Sequence, residues 1–255
     1  IGSVAIAFAA TTASLLPTAA GTYSAWTPST GTTHYTLVDE SACNSTDYVS
    51  TLTVGARDSY AVSLASIPDG STITGVSVTP CAAKAKSSGT ANISVFYRLN
   101  GVNSANSAAY SLTGTTPTSL AATNYSGLSV SKSSSTSLEV GTVYVSGTQT
   151  ARLSQMATVV TYTAPLTPPN APFNPQTSVS SSTNILLSWT DMSSNEDGFW
   201  IERSTDGTIF NFLATTTVAS YLDSGLPAGT YYYKVRAYNA AGNSAFSSTT
   251  MRTLP

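Results

Sequence analysis

The sequence predicts an all-β chain: a jelly-roll-like β-sandwich, then a second β-sandwich, with an apolar segment in front of both. Short runs of alternating apolar and polar residues recur along the chain. Each is broken within roughly ten residues by Gly, Pro, Asn or Asp, as strands joined by tight turns require. With 14 Tyr, 7 Phe and 3 Trp beside many Val and Ile, the Ser- and Thr-rich composition does not read as disorder. From residue 23 to the C-terminus, no run shows the apolar periodicity of a helix of globular length.

The totals narrow the function classes. At 255 residues the chain is long enough for two domains with cores of their own. Charged residues make up 9%, against about 25% in an average soluble protein, so hydroxyls and amides keep this surface wet. A net charge of −2 lacks the basic excess that a nucleic-acid partner would select. The Ser/Thr surface, the scarcity of lysine and the even cysteine count together point to a secreted or cell-surface protein. Cys43 and Cys81 have no CxxC or Cys/His spacing that would suggest zinc. A disulfide is the simplest reading, and closing that loop would contribute about 4 kcal/mol in the chain-entropy model. Two buried free thiols are the alternative.

The segment 1–22 opens with "IGSVAIAFAATTASLLPTAAG", which contains no charge. It fits the apolar region of an export signal, with small residues after Pro17 as a cleavage site, although the positive flank is missing. As a membrane span it is poor, since about 20 apolar residues are needed and Pro17, Thr and Ser interrupt it, so no stable span is expected. It is short for a pilin-like helix and lacks that helix's acidic residue. It also fits a strand donated to another subunit. Val4, Ile6 and Phe8 alternate with alanines, and burying them together with Leu15 and Leu16 would stabilise a contact by about 1.5–3 kcal/mol per side chain. A head-to-tail contact of this kind generates an open filament.

The first sandwich is placed at 23–164. In "SYAVSLASIPDGSTITGVSVTP", Tyr60, Val62 and Leu64 alternate, Pro68-Asp69-Gly70 turns the chain, and Ile73, Val76 and Val78 follow. "ANISVFYRLNG" repeats the pattern with Ile93, Val95 and Tyr97, and Asn100-Gly101 is a hairpin turn. "TSLEVGTVYVSG" and "ARLSQMATVVTYT" supply two more strands, the latter with Met156, Val159 and Tyr162. In all, about eight or nine strands are expected, enough for one two-sheet sandwich. "SVSKSSSTS" at 129–137 reads as a loop. "SIPDGSTITGVSV" resembles a strand-turn-strand of jelly-roll-like domains of bacterial surface proteins, a likeness that implies no function by itself.

The proline-dense stretch "TAPLTPPNAPFNP" is a stiff extended boundary, with the linker at 165–169. Beyond it come "NILLSWTDMSSNEDGFWIERSTDG" and "YLDSGLPAGTYYYKVRAYNAAGNSAFS". These resemble a bacterial-type fibronectin type III (immunoglobulin-like) domain over residues 170–255. The resemblance makes Trp189 the core tryptophan and puts Tyr231 at the tyrosine corner. It implies a spacer or binding module. Tyr233, Val235 and Ala237 should face inward and Lys234, Arg236 and Tyr238 outward. Trp26, Trp200 and Tyr238 are the aromatics that could face a ligand. The ending "MRTLP" fits a linker into a further domain.

Chemistry is sparse. The single histidine, His34, is expected to be exposed or hydrogen-bonded near a strand start. No G-x-S-x-G elbow occurs, and Glu139 stands alone in its strand. Asp39 and Glu40, being adjacent, would point to opposite faces of a strand. "DESACNSTD" gathers Asp39, Glu40, Asn44 and Asp47, oxygen ligands that could hold Ca²⁺ but without the spacing of a recognised loop. Neither an enzyme nor a cofactor is expected. The leading reading is a secreted structural subunit of an extracellular filament or surface fibre that self-associates through its N-terminal segment. The other is an adhesin or carbohydrate-binding accessory module with a surface glycan or protein ligand.

Overall fold

The computed structural model describes residues 9–255; Val4, Ile6 and Phe8 therefore lie outside the described residues. The described residues are nearly all β, with one short 3₁₀ turn among them at Tyr35–Leu37. It divides into two compact units, the first ending at Pro165 and the second running from Leu166 to Pro255. Among the described residues no helix is long and apolar enough to cross a membrane.

The first unit begins with β1 (Ala9–Thr11), β2 (Pro17–Ser24), β3 (Thr27–Pro28), β4 (Val49–Thr51) and β5 (Arg57–Val62). The long strands β6 (Thr72–Lys84) and β7 (Ala91–Leu99) follow, then the short β8 (Val102–Asn103), β9 (Tyr110–Ser111) and β10 (Thr118–Ser119). β11 (Thr123–Ser131), β12 (Leu138–Gly147) and β13 (Ala151–Thr163) complete it. One sheet runs β10-β6-β13-β4-β3, with β1 added to β13 and β11 to β6. The other runs β2-β5-β12-β7-β8, with β9 added to β7. All pairings are antiparallel, as the turn-rich sequence requires.

Between the sheets lie Tyr60, Ile73, Val78, Ile93, Val95, Val140, Tyr144, Met156 and Val160, each essentially inaccessible. Gly70 (φ 82°) closes the expected Pro68-Asp69-Gly70 turn, and Asn100 (φ 49°) with Gly101 (φ 81°) forms the tight link from β7 to β8.

Three expectations are corrected here. Residues 9–22 do not stand apart as part of an N-terminal segment. β1 pairs with Thr161–Thr163 of β13, Leu15 exchanges backbone hydrogen bonds with Thr158 at 2.7 and 2.9 Å, and the chain then crosses to the other sheet as β2. Leu15 and Leu16 are both half-buried, Leu15 against its own domain's core. In β13 the core-facing set is Met156, Thr158 and Val160, whereas Val159 and Tyr162 are only half-buried. A threonine in an inward position hides the phase of the strand from a hydrophobicity reading. Finally, Ser129–Ser131 belong to β11 rather than to a loop, and Lys132 then exchanges backbone bonds with Gly70 and Ser71.

Cys43 and Cys81 are joined by a disulfide that ties the segment before β4 to the C-terminal part of β6. Beside it, Gln155 donates to the Glu40 carbonyl at 2.7 Å and the Met156 amide donates to Val38 at 3.0 Å.

The second unit comprises β14 (Phe173–Ser181), β15 (Asn184–Thr190), β16 (Gly198–Ser204), β17 (Asn211–Thr216) and β18 (Ser220–Asp223). β19 (Gly229–Asn239), β20 (Gly242–Asn243) and β21 (Thr250–Leu254) follow. A three-stranded sheet, β14-β15-β18, faces a five-stranded one, β17-β16-β19-β20, with β21 also on β19. Trp189 packs edge-on against Phe199 at 5.2 Å, among Ile185, Leu187, Ile201, Tyr233 and Val235. Tyr231 donates its hydroxyl to the Pro227 carbonyl at 2.9 Å, which pins the corner before β19.

Both units close one sheet edge in the same way. In the first, the Ser104 hydroxyl accepts the Tyr97 amide and the Ser107 hydroxyl accepts the Val95 amide, each at 3.0 Å. The amides of these serines donate back to the same two residues of β7. In the second, Ser244 and Ser247 do the same for Ala237 and Val235 of β19, at 2.9 and 3.1 Å. The stretches 103–107 and 243–247 both read Asn-Ser-Ala-x-Ser.

Candidate functional site

Alternation along β19 buries Tyr233, Val235 and Ala237 and leaves Lys234, Arg236 and Tyr238 on the outer face of the five-stranded sheet. The pairing of β16 with β19 sets Trp200 opposite Arg236 and Glu202 opposite Lys234. The Arg236 guanidinium lies over the Trp200 ring, 5.1 Å from its centroid, and 4.7 Å from that of Phe246. Lys234 lies over Phe246 at 4.1 Å and Phe210 at 4.4 Å, with Glu202 Oε2 at 3.1 Å. On the other side, Phe212 packs against Trp200 with centroids 4.4 Å apart. The result is a row of alternating rings and cations across the sheet, each cation–ring contact worth about 0.5–1 kcal/mol at such an exposed place.

Two features of this row are unspent. Phe212 is 54% exposed. Arg236, unlike Lys234 and Arg203, pairs with no carboxylate among the described residues, and its buried Nε has no hydrogen-bond partner. Tyr238 leans across Gly198, where a Cβ would stand 3.0 Å from the tyrosine hydroxyl. Of the three aromatics expected to face a ligand, Trp200 and Tyr238 thus share this face, both half-buried. Trp26 does not. It is 2% exposed and donates its indole N–H to the Ala56 carbonyl at 3.1 Å inside the first unit, which corrects that expectation. Phe212, Phe246 and Arg236 were not singled out as site residues in the sequence. The alternation of β19 was the available signal for Arg236, but strand pairing was needed to show what lay beside it.

The first unit gathers a second set of acidic groups. His34 Nδ1 is 2.7 Å from Asp58 Oδ2, and the Tyr60 hydroxyl donates to the same oxygen at 3.0 Å. Asp58 is inaccessible, and burial pushes its carboxyl up to about 6 while His34 and Tyr60 pull it back. Its Oδ1 has no hydrogen-bond partner among the described residues. This couple ties the 3₁₀ turn to β5.

Glu139, the single acid of its strand as the sequence indicates, is a hub. Its carboxylate accepts the Thr22 amide at 2.8 Å, the Thr22 hydroxyl at 2.7 Å and the Ser59 hydroxyl at 2.8 Å, and Arg98 stands 3.4 Å away. Burial alone would raise this carboxyl; those four groups outweigh it and hold it below its ordinary value.

Asp39, Glu40 and Asp47, the calcium candidates, are drawn near one another. Burial pushes Glu40 up to about 7, with the negative charges of Asp47 and Asp39 adding to it against a backbone hydrogen bond. Among the described residues, however, no three His, Cys, Asp or Glu side chains converge as a metal site.

Comparison with known proteins places part of this chain. No protein-family model matches it. An alpha-amylase of Niallia circulans is 38% identical over 89 residues, which is 34% of this chain and 7% of that protein, so this chain spans only a small fraction of that relative's length. Among solved structures, the sixth fibronectin type III domain of human fibronectin type III domain containing protein 3 is 25% identical. It covers 36% of this chain and 91% of that one, with a TM-score of 0.32. An Fn3-like protein from Clostridium thermocellum is also 25% identical, over 34% of this chain and 94% of that one, with a TM-score of 0.31. On the sandwich topology, the core tryptophan and the tyrosine corner, residues 170–255 form a fibronectin type III-like segment.

Proposed function

We propose that this chain is a non-catalytic part of an exported bacterial protein, whose fibronectin type III-like segment adheres to a polysaccharide through the outer face of its five-stranded sheet. The observation that carries the reading is an open phenyl ring, Phe212, and a guanidinium without a carboxylate partner among the described residues, Arg236, which flank Trp200 on the three adjacent strands β17, β16 and β19. Sugar rings offer apolar C–H faces to an aromatic ring and hydroxyls to a guanidinium, and a flat sheet face accepts an extended chain. The similarity of about a third of the chain to a small part of an alpha-amylase supports this reading. A Ser/Thr surface and a disulfide suit an oxidising compartment.

The test is co-sedimentation of the full chain with insoluble starch, cellulose and chitin. Retention on one of them, reduced about tenfold or more in Phe212→Ala and Arg236→Ala, is the expected result. No retention on any polymer, or retention indifferent to both substitutions, refutes the reading.

A second reading, a filament subunit, is favoured by the alternation of Val4, Ile6 and Phe8 directly ahead of β1. Deleting residues 1–8 spares every described strand. On this reading it abolishes filaments seen by negative-stain electron microscopy, and filaments that survive the deletion exclude it.

A further inference from the structure

A lysine without a counter-ion marks a different place, in the first sandwich. At one end of it the last residue of β6, the start of β7 and the stretch after β9 surround a cavity of about 280 Å³. Lys84 lines it and is only 7% exposed. Its ammonium carries three donors, and the one acceptor it meets among the described residues is the Gly89 carbonyl at 2.8 Å. No carboxylate pairs with it among the described residues. The other buried lysine, Lys132, has Asp69 at 2.5 Å. A buried cation without a partner anion is a standing penalty that folds normally remove.

The walls are made to keep it there. Gly89 sits at φ +70°, and a Cβ on it would stand 2.5 Å from the Thr148 hydroxyl, so the carbonyl that clamps Lys84 is fixed by a glycine. Ser111 donates to Asn92 Oδ1 at 2.8 Å, and Asn92 donates to Ser146 at 3.0 Å, which fixes the orientation of the amide on the opposite wall. Thr90 and Thr113 add hydroxyls, and no acidic residue lines the space.

We propose that this cavity binds an acidic sugar residue, with Lys84 as counter-ion to its carboxylate and the hydroxyl and amide walls meeting its ring hydroxyls. One cation selects a single negative charge rather than a phosphate or a polyanion. The volume admits about one sugar ring, near the lower end of ligand cavities. The polar walls suit a polyol better than an apolar acid. This site is independent of the aromatic face of the second unit, and either can fail without the other.

The test titrates the full chain with methyl β-glucuronide, methyl β-glucoside, acetate and sulfate, reading amide NMR shifts and thermal midpoints. The uronide should shift the signals of Gly89, Asn92 and Ser111 and raise the midpoint of the first sandwich. Lys84→Met should weaken that response at least tenfold while its own midpoint stays level or rises, because an unpaired buried charge has been removed. A lysine that merely braces the fold would instead lower the midpoint in Lys84→Met, and a wild-type protein that ignores the uronide overturns the proposal whether or not that drop is seen. Glucoside binding as well as glucuronide removes the role of the charge and overturns it too. Acetate or sulfate matching the uronide leaves an anion site and overturns the sugar assignment.

Discussion

Replacing both half-cystines, Cys43→Ala with Cys81→Ala, tests what holds the long segment ahead of β4. The bond closes a loop of sequence separation 38. In the chain-entropy model, opening a loop of that size costs about 4 kcal/mol of stability. That is a large share of the roughly 5–15 kcal/mol that a domain possesses. For a unit of this size it corresponds to a midpoint lowered by roughly 8–16 °C. The segment keeps two other anchors, Gln155 on the Glu40 carbonyl and Met156 on Val38, so the native arrangement survives and the loss falls on the unfolded state. Calorimetry supplies its own control, because the second unit contains no cysteine and its transition should stay where it is. A loss below about 1 kcal/mol would refute the chain-entropy reasoning, because hydrogen bonds made only in the folded state do not restrict the unfolded chain. An equal shift of both transitions would show that the effect is not local to the loop.

Two further outcomes follow from the buried groups of the first unit. Asp58 holds its proton up to about 6 because it is buried, so the folded form binds that proton more tightly than the unfolded chain. The stability it contributes is present in full below the ordinary carboxylate range and is lost as the pH rises through about 6; Glu40, raised to about 7, acts in the same direction. The midpoint of the first sandwich should therefore fall between pH 5 and 7.5, and Asp58→Asn should flatten that slope; an unchanged slope in the variant would clear Asp58 of the effect. Gly141→Ala should destabilise the same unit by about 1–3 kcal/mol in chemical denaturation, since the new methyl meets the Asp58 carbonyl and stands 2.6 Å from the Phe96 ring. A neutral result would mean that Phe96 gives way freely.

The second sandwich was largely legible in the sequence because its signals are local. Trp189, Tyr231 and the alternation through Ala237 each rest on a few neighbouring residues, and the structure puts them where the pattern does. The first was legible in its turns, as at Gly70 and Asn100-Gly101, but not in the partners its strands choose. Asp58 sits in phase with Tyr60 and Val62 and could have been read as a core-facing acid; its partner His34 lies in a loop that no local rule places. Glu139 looked solitary because its four partners come from three other strands. Trp26 was mistaken for a surface aromatic because its neighbours are polar, while the carbonyl that receives its indole lies 30 residues away.

The paired serines on β7 and β19 reach beyond the fold of either unit. A tethered tandem of β-sandwiches keeps each module at high concentration beside a similar one, and an open strand edge is the route by which such neighbours misassemble. At Val95, Tyr97, Val235 and Ala237 the amides that an incoming strand would need are already held by side-chain hydroxyls. The Asn-Ser-Ala-x-Ser stretches thus act as a cap on the edge of each unit's own sheet. Residues that pass for hydrophilic filler in the composition occupy the very amides through which a foreign strand would add to either edge.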